Sequence, residues 1–113
     1  MTEKEAMGLM SEYIDAGYII RCSDRHETET VLCWLNRLSY KTSTYAEDFL
    51  RHNIKYDPSF PDVGAGVGGI ICCWKKEQKL HPTIKYSDII NGLQLFEYDN
   101  DDVFERNLRE LLS

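Results

Sequence analysis

Three positions in the middle of this chain have the residue types that a metal-dependent nuclease needs. Pro61-Asp62 is followed by Glu77-Gln78-Lys79. An Asp on one strand and a Glu-x-Lys on the next can hold a divalent cation with hard oxygen ligands and activate water beside a lysine. The spacing from Asp62 to Glu77 permits this, but the surroundings do not favour it. Glu77 follows Lys75 and Lys76 in a charged run, where a catalytic carboxylate would sit inside an apolar strand. Read structurally, Asp62 shapes the turn at Pro61, and Lys75, Lys76, Glu77 and Lys79 form a solvated β-turn.

Gly64-x-Gly66-x-x-Gly69 spells the outline of a dinucleotide fingerprint, with Gly68 a further glycine in the run. That fingerprint works when a strand precedes it and a helix follows, so that the helix N-terminus faces a pyrophosphate. Here loop precedes and strand follows. What the pattern supports instead is a tight turn or a close backbone approach. With Lys75 and Lys76 nearby, the backbone amides of Gly64, Gly66, Gly68 and Gly69 also make a candidate nest for a nucleotide or phosphate.

The remaining ligand-type residues are weaker. Cys22, His26, Cys33, Cys72 and Cys73 contain no C-x-x-C half-site, so no metal is expected. Cys72 and Cys73 are strand neighbours with side chains on opposite faces, and each cysteine lies in an apolar stretch, so a buried, reduced set is expected. Asp99-x-Asp101 opens like a calcium loop, but Val103 stands where a further oxygen ligand belongs. No cofactor is called for.

Charge and aromatic content point toward binding rather than chemistry. The 113-residue chain carries a net charge of −6, which opposes non-specific contact with nucleic acid, because such contact relies on Lys and Arg displacing counterions. Residues 1–30 hold seven acids and three bases, residues 31–87 five acids and eight bases, and residues 88–113 seven acids and two bases. Acidic ends that met in the fold would present one face, including Glu97, Asp99, Asp101 and Asp102, to a protein partner with a basic surface. Seven Tyr, four Phe and two Trp exceed what a small core must hold. Tyr40, Tyr45, Tyr56 and Phe60 fall in the middle region among polar residues and prolines, as interface anchors do.

The elements that would position these groups can be read from period and punctuation. Thr2-x-x-Glu5 is a capping box, after which Ala6, Met7, Leu9, Met10, Tyr13 and Ile14 recur at helical spacing until Gly17. Residues 18–22 are a strand. Ser23 or Asp24 caps a helix to about residue 38 with Val31, Leu32, Trp34, Leu35 and Leu38 on its stripe. Thr44-x-x-Glu47 opens a short helix to about residue 52, and Asp57-Pro58 and Phe60-Pro61 enforce a long extended loop. Residues 67–74 and 80–86 are strands either side of a hairpin turn, with Pro82 marking an edge. A helical turn near residues 89–93, a strand at 95–98 and a helix capped by Asn100 complete the order. This gives a single α+β domain, with a small, mostly antiparallel sheet of three or four strands, helices on one face, and N- and C-terminal helices flanking.

No run approaches the roughly 18 apolar residues that span a bilayer, and the start of the chain is acidic, so a cytoplasmic protein with no membrane contact is expected. The edge strand at 80–86 is the element that would pair in a homodimer, which Pro82 and Lys85 oppose. Tyr18-Ile19-Ile20-Arg21-Cys22-Ser23, then Val31-Leu32-x-Trp34-Leu35-x-x-Leu38, and later Ile84-Lys85-Tyr86-Ser87-Asp88 resemble small accessory proteins of phages and integrated mobile elements. The resemblance implies a short protein that acts by binding, for example as an inhibitor of a host defence or nucleic-acid-processing protein. The leading expectation is thus a non-catalytic interaction protein. A small-ligand binder using the glycine loop comes second, and a metal-dependent nuclease of PD-(D/E)xK type comes third.

Overall fold

The computed structural model describes residues 2–51, 56–66, 71–77 and 80–90. Thr2 opens the first helix by accepting the Glu5 N–H on its hydroxyl at 3.2 Å, which satisfies one of the donors that a helix N-terminus leaves orphaned. Helix α1, Glu3–Asp15, buries Ala6, Met10 and Ile14 along one stripe. It gives way at Gly17, whose φ of +86° would strain any side chain.

Strand β1, Ile19–Arg21, leads into helix α2, Arg25–Arg37. Of the two caps the sequence offers, Asp24 is the one used. Its carboxylate accepts the Glu27 N–H at 2.9 Å, and the Glu27 carboxylate accepts the Ser23 N–H at 2.8 Å. Residues 28–35 of α2 are buried without a break, so this helix lies at the centre of the molecule. The Trp34 indole N–H donates to Glu3 Oε1 at 3.1 Å, and Arg37 reaches the same oxygen at 3.1 Å. The start of α1 is thereby tied to the end of α2.

Helix α3, Thr44–Arg51, is capped by Ser43, one residue earlier than the Thr44-x-x-Glu47 pattern suggests. The Ser43 hydroxyl accepts the Ala46 N–H at 3.2 Å and the Ser43 carbonyl accepts the Glu47 N–H at 2.9 Å. Strands β2, Asp62–Ala65, β3, Ile71–Trp74, and β4, Thr83–Lys85, follow, with a short helix α4, Tyr86–Ile90, directly after β4. The four strands form one mixed sheet in the order β3-β2-β1-β4, antiparallel at β3–β2 and β2–β1 and parallel at β1–β4. With the helices this is the expected α+β fold.

Two features of the sheet correct the sequence reading. Residues 62–65 form a strand in place of the expected loop, paired on both sides. The segments expected to form a hairpin, 67–74 and 80–86, contribute strands at opposite edges of the sheet. β4 is also short, because the chain turns helical at Tyr86. The Pro82 carbonyl accepts the Ile19 N–H at 2.9 Å, so a residue with no N–H of its own still serves the ladder at an edge.

Strand alternation sends Ile20, Val63, Ile71 and Ile84 to one face, where they join Ala6, Met10, Leu32 and Trp34 in the core. Helix α1 packs on β1, α2 on β2, and α3 on β3. Ile19, one residue out of phase, is buried on the other face beside Gly64. Among the described residues no helix is long and apolar enough to cross a membrane. The strand expected at 95–98, the helix expected from Asn100, and the acids Glu97, Asp99, Asp101 and Asp102 lie outside the described residues.

Candidate functional site

Two turns of the chain deliver aromatic rings to the outer edge of β3. Asp57 accepts the Ser59 N–H on its carboxylate at 2.9 Å and the Phe60 N–H on its carbonyl at 3.0 Å. Residues 57–60 thus close as a tight turn around Pro58, with Phe60 at its end. The Thr28 hydroxyl donates to the Pro61 carbonyl at 2.7 Å and pins that turn to α2. From the other side, Ser43 starts α3 and sets Tyr45 in its first turn.

The Tyr45 and Phe60 rings meet with centroids 6.1 Å apart at 52°. Lys75 Nζ stands 5.8 Å from the Phe60 ring centroid, within cation–π range. Ser43, Tyr45, Phe60, Cys72 and Cys73 enclose a hollow of about 200 Å³. A second hollow of about 480 Å³ shares Phe60 and Cys73 and is bounded by Trp74, Lys75 and Glu77. Together they form a groove along the β3 edge whose walls are mostly aromatic and thiol groups. Tyr45 is 37% exposed, so that aromatic wall opens to solvent.

The other aromatic candidates divide. Tyr56 packs on Phe49 with centroids 6.1 Å apart, and the Arg25 guanidinium lies 5.7 Å over the Phe49 ring. Tyr40 belongs elsewhere. Its hydroxyl donates to Asp15 Oδ1 at 2.6 Å and lies 2.7 Å from Ser11 Oγ, tying the segment after α2 to α1. Burial, and then the Asp15 bond, hold its phenol above the ordinary value.

Asp62 is buried at the start of β2. Its Oδ1 accepts the Cys22 N–H at 3.1 Å, and its Oδ2 lies 3.8 Å from Arg21 Nε. Arg21 also donates to the Lys76 carbonyl at 2.6 Å. The carboxylate therefore joins the end of β1 to the start of β2, and Arg21 links both to the turn after β3. Burial pushes the Asp62 carboxyl up, against the opposing pull of the Cys22 N–H, Arg21 and Lys76. Glu77 is exposed and borders the groove, and Lys79 lies outside the described residues. No three His, Cys, Asp or Glu side chains converge on a metal position among the described residues.

Of the glycine series, Gly64 sits inside β2, paired with Cys72. A Cβ there would meet Trp74 Nε1 at 2.9 Å and Ile19 Cγ1 at 3.0 Å. Its bareness serves the close approach of the indole. Gly66 ends this stretch, and Gly68 and Gly69 lie outside the described residues. Lys75 and Lys76 are exposed, Lys75 over the Phe60 ring.

All four cysteines are free. Cys22 and Cys33 are buried as expected, while Cys72 and Cys73 are only partly so. Burial pushes the Cys33 and Cys73 thiols up to about 12 and raises those of Cys22 and Cys72. Thiols held protonated in this way are packing groups and poor nucleophiles.

The structure thus brings Tyr45 and Phe60 together with Lys75, and adds Ser43, Cys72, Cys73 and Trp74, which the sequence reading did not assign to a site. Trp74, closing an apolar strand and followed by two lysines, was the available signal for them. No family model, curated protein or solved structure matches this chain.

Proposed function

We propose that this protein is a non-catalytic binding protein that engages a protein partner through the groove along the outer edge of β3. The observation that carries this reading is the pairing of the exposed Tyr45 ring with Phe60 over a hollow lined by Ser43, Cys72 and Cys73. Rigid aromatic side chains supply large contact area at small entropic cost, which is why they anchor interfaces. The raised Cys72 and Cys73 thiols and the engagement of Asp62 between strands support binding over chemistry at this groove.

Net charge gives the approach its direction. Helix α1 exposes Glu5, Glu12 and Asp15 against Lys4, and the whole chain carries −6. A partner with a basic surface is drawn in by that field, while the groove makes the short-range contact. Inhibition by occupying a basic groove meant for nucleic acid is one action such a molecule is suited to.

Tyr45→Ala is the test. The side chain is exposed enough that its loss should leave the thermal midpoint within about 2 °C of wild type, as for surface positions in general. Retention of partner from host lysate, quantified by mass spectrometry, should fall at least about tenfold. Equal retention by the variant would remove the groove from the binding surface, and a parallel drop in thermal midpoint would identify Tyr45 as a packing residue.

A further inference from the structure

We propose that the groove takes an extended, acidic segment of its partner as an added β-strand, paired to the backbone of Cys73. The proposal rests on the binding reading above and specifies its mode. It starts from the ladder on the outer side of β3, which among the described residues has no further strand beside it. Ile71 N–H donates to the Lys41 carbonyl at 2.7 Å, and the Ile71 carbonyl accepts the Ser43 N–H at 2.7 Å. Thr42 thereby forms a parallel bridge to Ile71 on the side away from β2.

Backbone groups repeat every second residue along a strand. Cys73, two residues on, therefore turns its N–H and carbonyl to the same side as Ile71. The register agrees: Val63 opposite Cys73 turns its own groups toward Ile20 of β1. The next rung would require the Ser43 carbonyl, but that carbonyl is taken by the Glu47 N–H as α3 begins. The segment that covers the edge at Ile71 thus turns into a helix one rung short of Cys73. At that point the edge borders the hollow between Tyr45 and Phe60.

An edge whose rung at Cys73 is unfilled among the described residues, with an apolar pocket beside it, is the geometry of strand addition, in which main-chain bonds give affinity and alternate side chains give selectivity. Charge selects the segment. Lys41 flanks the rung at one end and Lys75 and Lys76 at the other, all exposed, against Glu77. An occupant alternating acidic with apolar residues places its carboxylates by these lysines and an apolar side chain in the hollow. A symmetric pairing of two β3 edges is disfavoured, because it would bring α3 and the 57–60 turn of one copy against those of the other.

The probe is a fluorescein-labelled six-residue peptide alternating glutamate with valine, titrated by polarisation against the full chain. Controls are the same peptide N-methylated at every residue and a version with lysine for glutamate. Both controls should bind at least about tenfold more weakly, one for lost backbone donors and one for reversed charge. The Cys73 amide, read by hydrogen exchange in the labelled protein, should exchange fast alone and slow with saturating peptide. Equal binding of the methylated peptide would overturn strand addition. Equal binding of the lysine version would overturn the acidic assignment. A Cys73 amide already protected in the protein alone would overturn the proposal, assigning the edge to a second copy if the protein self-associates and to another part of this chain if it does not. If no peptide binds while partner capture still depends on Tyr45, the proposal fails and the binding reading stands. If capture is also independent of Tyr45, both fail.

Discussion

Asp62 shows how one residue can look catalytic in a sequence and be structural in the fold. Its oxygens meet the Cys22 N–H and the Arg21 guanidinium, which are donors, where a metal site would need further carboxylates. Its titration gives a test of this role. Burial holds the Asp62 carboxyl above its ordinary 3.8, despite the Cys22 bond, Arg21 and Lys76. A carboxyl with a raised folded-state pKa binds more protons folded than unfolded, so its contribution to stability declines as pH climbs from the unfolded value through the folded one. The pairing with Arg21 is too long and too exposed on the arginine side to reverse that sign. Asp62→Asn keeps an acceptor for the Cys22 N–H and removes the charge. Urea unfolding should therefore find the Asn variant more stable than wild type at pH 7, with the difference shrinking as pH falls toward 3.8. A variant less stable at pH 7, with a gap that closes in acid, would show that the ionised carboxylate is the stabilising form.

At the scale of elements, what was legible in the sequence was whatever signal lies within one segment. The cap and stripe of α1 are contained between Thr2 and Ile14, and the cap and buried run of α2 between Asp24 and Leu35. Helix caps of this kind carry about 1 kcal/mol, so Asp24→Ala, which removes the acceptor of the Glu27 N–H, should lower the unfolding free energy by about that amount in a urea titration. An unchanged midpoint would mean that Ser23 takes over the cap. Strand β2 was not legible, because Asp62 and Gly64 are residue types that strands disfavour. Its strand character comes from Val63 pairing with Ile20 on one side and Cys73 on the other, partners about 40 and 10 residues away in the chain. The same holds for β4. Pro82 and Lys85 mark an edge, and β4 is one, but its parallel match to β1 is decided by tertiary packing. The site divides in the same way. Tyr45 and Phe60, grouped from composition, do meet in space, whereas Tyr40 lies apart from them, bonded to Ser11 and Asp15 of α1, which no signal within its own segment announces.

The whole molecule combines a net charge of −6 with a groove bordered by Lys75 and Glu77. These two features act at different ranges, and that separates their effects on rate. Long-range attraction raises the frequency of encounter and is screened over about 8–10 Å at physiological salt. In the proposed complex, contacts made inside the groove, by the Tyr45 and Phe60 rings over Cys72 and Cys73, would persist after docking and govern how long it lasts. For a partner with a basic surface, raising ionic strength from about 50 to 300 mM should slow association about tenfold or more and speed dissociation by a smaller factor, as contacts to Lys41, Lys75 and Lys76 are screened. Tyr45→Ala should do the reverse, speeding dissociation while association holds. Surface plasmon resonance with the captured partner, run for both proteins at each salt concentration, reads the two rates separately. Salt that speeds dissociation as strongly as it slows association would make charge contacts with Lys75 and Lys76 or Glu77 the main hold on the partner. The groove would then be held by ion pairs, and its aromatic walls would set only its shape.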